Sequence, residues 1–398
     1  MFAPIRPYGR PYVRLFRFAR RLACPISLIL LLSLGAGAST SANVVYINKN
    51  ATGATHDGTT WGTAFLTVQA GIDGASSGDE VWVAKSKQAA PSYVENITLK
   101  TGVALYGGFA GTETGRSQRD WKTNATVLNG NGNTEADVVT SAAQGGILDG
   151  FVVSNGRYGV SISGGTAGVT NCTINGSGVG VYVSSSATAS VTNCAISGNS
   201  SGIYLGSGTV SVTNCTVSGN TVQGVFVSTG TATFTNCIVT FNRIGILQWT
   251  NSATVTLSCN DVFGNTSDNY RNIPDMTGFN GNLRQDPLFA NSTGGDFHLL
   301  SSSPCVDAGD DTAVTPNEID LDGQPRIYGS HVDMGAYEFG PIPYTFQDAA
   351  QALRFGAGLT NASPDDITHL NVETGSPQLD LNDAVRIARK ASGLDPNP

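Results

Sequence analysis

Between residues 150 and 260 the chain has no aspartate, glutamate, histidine or lysine, and only Arg157 and Arg243 carry charge. So bare a stretch excludes several chemistries at once. Eliminative cleavage of a uronide needs a cation or metal against the carboxylate and a positioned base. Glycoside hydrolysis needs two carboxyl groups roughly 5–9.5 Å apart. Any such chemistry must come from further along, where Asp261, Asp268, Arg271, Asp275, Asp296 and His298 are the candidates. Acids in that composition also serve to satisfy turns.

Long apolar runs are equally scarce. The best, residues 26–34, follows Arg6, Arg10, Arg14, Arg17, Arg20 and Arg21 without an intervening acid. It is too short to span a bilayer, and small residues follow it (Ala36-Gly37-Ala38, Thr40-Ser41-Ala42), so residues 1–42 are expected to be a cleaved secretion signal. No other segment is predicted to cross a membrane, and the mature protein is expected outside the cell or on its surface. Basic residues are in deficit throughout. The whole chain has 22 against 30 acids, and without its first 42 residues 16 against 30, a net charge of −14. Such a surface repels nucleic acid and anionic lipid, which excludes both as partners.

Helical periodicity is missing from the middle of the chain, and a different period takes its place. Thr170-Asn171-Cys172 returns as Thr192-Asn193-Cys194, Thr213-Asn214-Cys215 and Thr235-Asn236-Cys237, then more loosely as Leu257-Ser258-Cys259. The cysteines stand 22, 21, 22 and 22 residues apart. A fixed period of this size marks a solenoid, in which each repeat buries its face against its neighbours. Every period holds three short alternating segments broken by Gly, Ser and Asn, the pattern of strands and turns. Three strands per turn make a parallel coil, and coils stacked about 4.8 Å apart put equivalent residues into ladders. Asn171, Asn193, Asn214 and Asn236 are expected to form an amide ladder at a tight bend below Asp149, since asparagine tolerates left-handed backbone. Cys172, Cys194, Cys215, Cys237 and Cys259 are expected beside it as small buried apolar residues. They are not expected to be disulfides, because in-register neighbours sit too far apart and without the required twist. In the Gly-apolar-x-apolar strands the x positions point outward, so Tyr182, Tyr204 and Phe226 make an aromatic stripe between Ser161 and Leu247. That stripe is a candidate ligand-binding surface for a polysaccharide; cover by a loop or by the C-terminal helices is the alternative.

Residues 43–146 read as an N-terminal cap and irregular first coils, residues 147–260 as the regular repeats. Val44 to Asn48 has strand character, and residues 64–72 carry apolar positions at helical spacing (Phe65, Val68, Ile72), suited to plugging the open end. Trp61 and Trp82 fit packing under that cap or, alternatively, sugar stacking. Past Cys259 the repeat slips, with Asp261 in the place of an Ile or Val. Gly340-Pro341-Ile342-Pro343 opens a stiff linker (residues 340–344). In residues 345–398 two helices are expected to begin near Asp348 and Asp383.

These patterns resemble known families. The repeats are similar to the right-handed parallel β-helix of the pectate-lyase-like superfamily over residues 44–339. The resemblance implies an all-β solenoid with an N-terminal helical cap and a small α-helical C-terminal domain, and a fold that hosts both enzymes and non-enzymes. The phrases Asp286-Pro287-Leu288-Phe289, Ser303-Pro304-Cys305-Val306-Asp307-Ala308-Gly309, Asp320-Leu321-Asp322-Gly323-Gln324-Pro325-Arg326 and Val332-Asp333-Met334-Gly335-Ala336-Tyr337-Glu338 resemble the choice-of-anchor Q module. Residues 261–339 are thereby expected to close the β-helix in a surface-associated protein. The C-terminal helical pair resembles a degenerate dockerin, which implies a docking partner and Ca²⁺ ligands at Asn371, Glu373 and Asp383. The loop is one residue too long, lacks the turn glycine and contains Pro377, so a plain helical pair without cofactor is the competing expectation. The function expected overall is binding or structural, toward carbohydrate or cell-envelope material. The alternative is a polysaccharide lyase or glycosidase built on Asp261, Asp268 and His298.

Overall fold

The structure, a computed structural model, describes residues 42–86 and 92–340. The expected secretion signal, linker, C-terminal helices and calcium candidates Asn371, Glu373 and Asp383 lie outside the described residues.

The alternation of apolar and polar residues builds three parallel sheets, of nine, eight and eight strands, wound into one solenoid. The first sheet runs from Val44–Ile47 to Ala253–Ser258, the second from Ser92–Tyr93 to Asp261–Phe263, the third from Ile97–Thr98 to Asp268–Arg271. Each strand pairs with the strand one coil later, as in Thr188–Thr192 on Thr209–Thr213. Inward residues such as Val181, Ile203, Val225 and Ile246 stack in register and are fully buried. Each such side chain contributes roughly 1.5–3 kcal/mol, so the core grows coil by coil.

The cap is shorter than its sequence suggested. Helix α1 spans Val68–Gly74. Phe65 lies outside it and bridges Ile47, while the Thr67 hydroxyl accepts the Ala70 N–H and fixes the start. The Glu95 carboxylate takes the next two free donors, Val68 N–H at 2.9 Å and Gln69 N–H at 3.1 Å, where negative charge also suits the helix dipole. Val68 and Ile72 pack inward, and Gly71 lets Ile47 approach within the space a β-carbon would fill.

Two ladders depart from expectation. Asn171, Asn193, Asn214 and Asn236 do adopt left-handed backbone (φ 51–54°) at the corner between the first and second sheets. Their amides, however, do not form one continuous stack. Asn171 bonds Asp149 and Asn236 bonds Asn214, each at 3.0 Å, but Asn193 and Asn214 turn their amides to the Glu318 carboxylate. The continuous amide ladder stands at the next corner. Asn199, Asn220, Asn242, Asn265 and Asn269 pass a bond from each Nδ2 to the following Oδ1 at 2.9–3.1 Å. Each of these oxygens also accepts the backbone N–H of the preceding asparagine in the row.

The cysteine ladder is one member short. Thr235 pairs with Ser258 and Ile238 with Asp261, so Cys259 stands where Asn236 does and Asn260 where Cys237 does. Asp261 accordingly takes the outward place of Ile238, while Val262 fills the inward one. All six cysteines among the described residues are free thiols, and burial holds those of Cys194 and Cys237 well above the ordinary range.

Residues 286–339 do not simply close the far end. They double back along the outside of the second sheet, which explains its apolar outward residues. Phe297, Leu321 and Ala336 cluster on Ala195; Leu299, Cys305 and Met334 cluster on Ile238. The tip of this strap reaches an early coil, where the Trp121 indole donates to the Leu321 carbonyl at 2.7 Å.

Candidate functional site

The outward positions of the third sheet fall in register as predicted: Ser161, Tyr182, Tyr204, Phe226, Leu247. Tyr158 and Trp249 extend the row at its ends, and sequence reading missed both because neither occupies the x position. Centroid distances along Tyr158, Tyr182, Tyr204, Phe226 and Trp249 are 4.5, 5.5, 4.4 and 5.8 Å. The Arg157 guanidinium sits 4.5 Å over the Tyr158 ring and is held by Asp137. Tyr158 stacks on Tyr182 and Tyr204 on Phe226, while the two contacts between and beyond these pairs are tilted by 45° and 32°, so most ring faces are turned toward a neighbouring ring. The row therefore presents edges and tyrosine hydroxyls along its length, and an open indole only at Trp249, which is 62% exposed. Tyr182 and Tyr204 are half-buried, and Phe226 and Leu247 are buried.

Asp261, Asp268 and His298 occupy three different surroundings. Asp261 is buried beneath the strap, accepting the Gln285 N–H at 3.0 Å and facing the Cys305 thiol at 3.6 Å. Burial pushes its carboxyl up to about 6, with the Gln285 bond opposing. Asp268 is tied to Arg271 and Ser267, and the Arg271 bonds hold it below the usual carboxylate range. It lines an end cavity of about 360 Å³ with Asn265, Tyr270, Asp275 and Arg284, where Arg284 pairs with Asp275. His298 belongs to the strap, bracketed by Asp296 on Nδ1 and by Asp322 on Nε2 at 2.8 Å. Burial disfavours its charge, but the two carboxylates more than offset this and push it up to about 9. An imidazole protonated at neutral pH is a structural cation, not a general base.

Trp61 and Trp82 pack with Tyr46 and Phe109 on the outside of the first sheet, and Trp82 stacks on Phe109 at 4.8 Å. The strap's repeated phrases also have packing roles. Arg326 is buried, donates to the carbonyls of Asp333 and Gly335, and lies 3.5 Å from Glu338. Asp320, Asp333 and Glu338 each accept backbone N–H groups of the strap itself.

A larger cleft lies where the strap tip meets the turn after the strand Ala104–Phe109. It encloses about 640 Å³ and is lined by Arg116, Arg119, Asp120, Trp121, Asn317 and Asp322, among others. Lys122 and Asp322 pair across it at 2.7 Å, and Arg119 pairs with Asp149 at 2.9 Å beneath it. Nothing in the repeat pattern signals this cleft, because its two walls are 200 residues apart in sequence.

The sequence model of the family described as "Right handed beta helix region" matches residues 102–262. The class is therefore the right-handed parallel β-helix, as the repeats implied. Among solved structures, the chain is similar to the pectate lyase Pel9A, with TM-score 0.48 and 13% identity over 75% of this chain and 97% of that one. No curated protein matches the sequence.

Proposed function

We propose that this is a secreted or surface-associated β-helix with a binding or structural role toward carbohydrate or cell-envelope material. The observation that carries the reading is the row of five aromatic rings on the third sheet, ending in the exposed indole of Trp249. A flat apolar face beside hydroxyl groups suits the mixed polarity of a sugar. Trp249 is the platform, and the tyrosines contribute edges and hydroxyls along the chain of the ligand. Such binding needs no ionisable group, in keeping with coils that carry almost none. The lyase or glycosidase reading is weaker, because Asp261, Asp268 and His298 share no hydrogen-bond partner. Export rests on the basic and apolar character of residues 1–42. A surface tether rests on the resemblance of residues 286–339 and 345–398 to anchoring and docking modules.

The test is retention of the purified protein on cellulose, chitin, xylan and mannan, with released sugars measured in parallel. Trp249→Ala should weaken retention several-fold and leave the melting temperature within a few degrees. Tyr182→Phe with Tyr204→Phe keeps the stack and should weaken retention by removing hydroxyls. Full retention by Trp249→Ala, or product release from any of the four polymers, would sink this reading.

A further inference from the structure

We propose that the cleft between residues 116–121 and 317–323 is a second binding site, separate from the aromatic row, for a neutral hydroxyl-rich ligand such as a short run of sugar residues. The choice of sugar as ligand rests on the carbohydrate reading above; the site itself rests on the cleft. At about 640 Å³ it is within the size range of small-molecule sites.

Its walls are fixed before any ligand arrives. Trp121 is held by its indole N–H on the Leu321 carbonyl, and the Arg119 guanidinium lies 4.7 Å over its ring and 5.0 Å over that of Tyr106. Asp322 is clamped from two sides, by Lys122 and by His298. Asn317 and Gly323, both with left-handed backbone, shape the strap turns that form the opposite rim. Rigid walls spare a ligand the entropy of ordering them.

The polar groups select the ligand's chemistry. Both bonds to Asp322 fall on Oδ2, and the backbone bonds to Asp120 from Lys122 and Thr123 fall on Oδ1. Oδ1 of Asp322 is left as an acceptor, while Asp120 is also bonded by the Thr123 side chain. Of the five N–H donors of a guanidinium, Arg116 uses Nη1 on Glu80 and on the Tyr106 hydroxyl. A ligand there meets acceptors and a donor fork together, beside an aromatic wall. An anion would oppose two carboxylates and a cation two arginines, whereas vicinal hydroxyls both donate and accept.

Calorimetric titration of Trp249→Ala with cellotetraose, mannotetraose, maltotetraose and tetragalacturonate separates this site from the row. At least one neutral tetrasaccharide should bind and raise the melting temperature, since it would bridge strap and coil. Arg116→Ala in that background should weaken binding about tenfold, and Arg116→Lys, which keeps the charge but loses the fork, should weaken it too. Arg116 is half exposed, so its loss should leave folding intact. Binding by the wild type that vanishes in Trp249→Ala would assign the sugar to the row and overturn the cleft. No binding at all, binding of tetragalacturonate alone, or affinity indifferent to both Arg116 variants would overturn it as well.

Discussion

Cys259 occupies the backbone place of Asn236: both are left-handed, with φ of 50° and 54°, one coil apart. The slip moves Cys259 out of the buried thiol column and leaves it half exposed, while Cys172, Cys194, Cys215, Cys237 and Cys305 are buried. Thiol reactivity follows access and thiolate content. A thiol reagent applied to the native protein without its first 42 residues should therefore label Cys259 quickly, and the other five only on unfolding. Two or more fast thiols, or a total below six in denaturant, would contradict this arrangement.

The register error in reading Cys259 has a simple cause. The coil from Thr235 to Ser258 is one residue longer than the one before it, yet Cys259 keeps the 22-residue spacing by chance of the insertion. Strand existence, the coil period and the outward row at Tyr182 and Tyr204 were legible because side chains alternate with period two and the coils repeat. Corners were not legible: Asn199 and Asn193 look alike in sequence, and only the turn geometry directs one inward along the stack. The strap was opaque for another reason. It has no period, and its partners Trp121, Asn193 and Asn236 lie far away in sequence.

The continuous asparagine ladder through Asn199, Asn220 and Asn242 should outweigh the broken one at Asn171–Asn236 energetically. Asn220→Ala takes the side-chain acceptor from the Asn199 N–H, one of three acceptors from the Asn199 Nδ2, and one of two donors from Asn242 Oδ1, which keeps the N–H of residue 220. These groups are buried, and each one left without a partner costs about 1–3 kcal/mol. With the Asn199 N–H as the group left without its acceptor, a loss of about 1–3 kcal/mol in denaturant unfolding is expected. A loss under about 1 kcal/mol would mean that water replaces the side chain.

The strap should make stability fall as pH rises from about 4 to about 9. Burial pushes Asp261 and Asp333 up to about 6 and Glu338 to about 8, and it raises Asp320 as well. A raised folded-state value contributes stability that is full below the unfolded value and lost as pH climbs through the folded one. His298, at about 9, has the same sign and gives up its share between its ordinary value and there. Asp296 and Asp322 are lowered, so their contribution disappears only on acidification. The melting temperature should peak near mildly acidic pH and drop by several degrees toward pH 9.5. Glu338→Gln should flatten the decline above pH 7; a flat wild-type profile would refute the assignment.

Arg326 is shared among three strap carboxylates, since the coulombic influence of its guanidinium reaches Asp320, Asp333 and Glu338. Its Nε and Nη1, and Glu338 Oε2, have no hydrogen-bond partner although all are buried. Once Glu338, held up to about 8, is ionised, a buried ion pair of this kind contributes little net stability over an apolar pair, yet removing one partner strands the other charge. Above about pH 8, Arg326→Met alone should therefore destabilise by about 3–5 kcal/mol, and part of that loss should return as pH falls below about 8 and Glu338 takes up its proton. Adding Glu338→Leu to Arg326→Met should recover at least half of the loss on the alkaline side of that value. Additive losses in the double variant would mean that the two side chains stabilise the strap independently, through their backbone bonds rather than through each other.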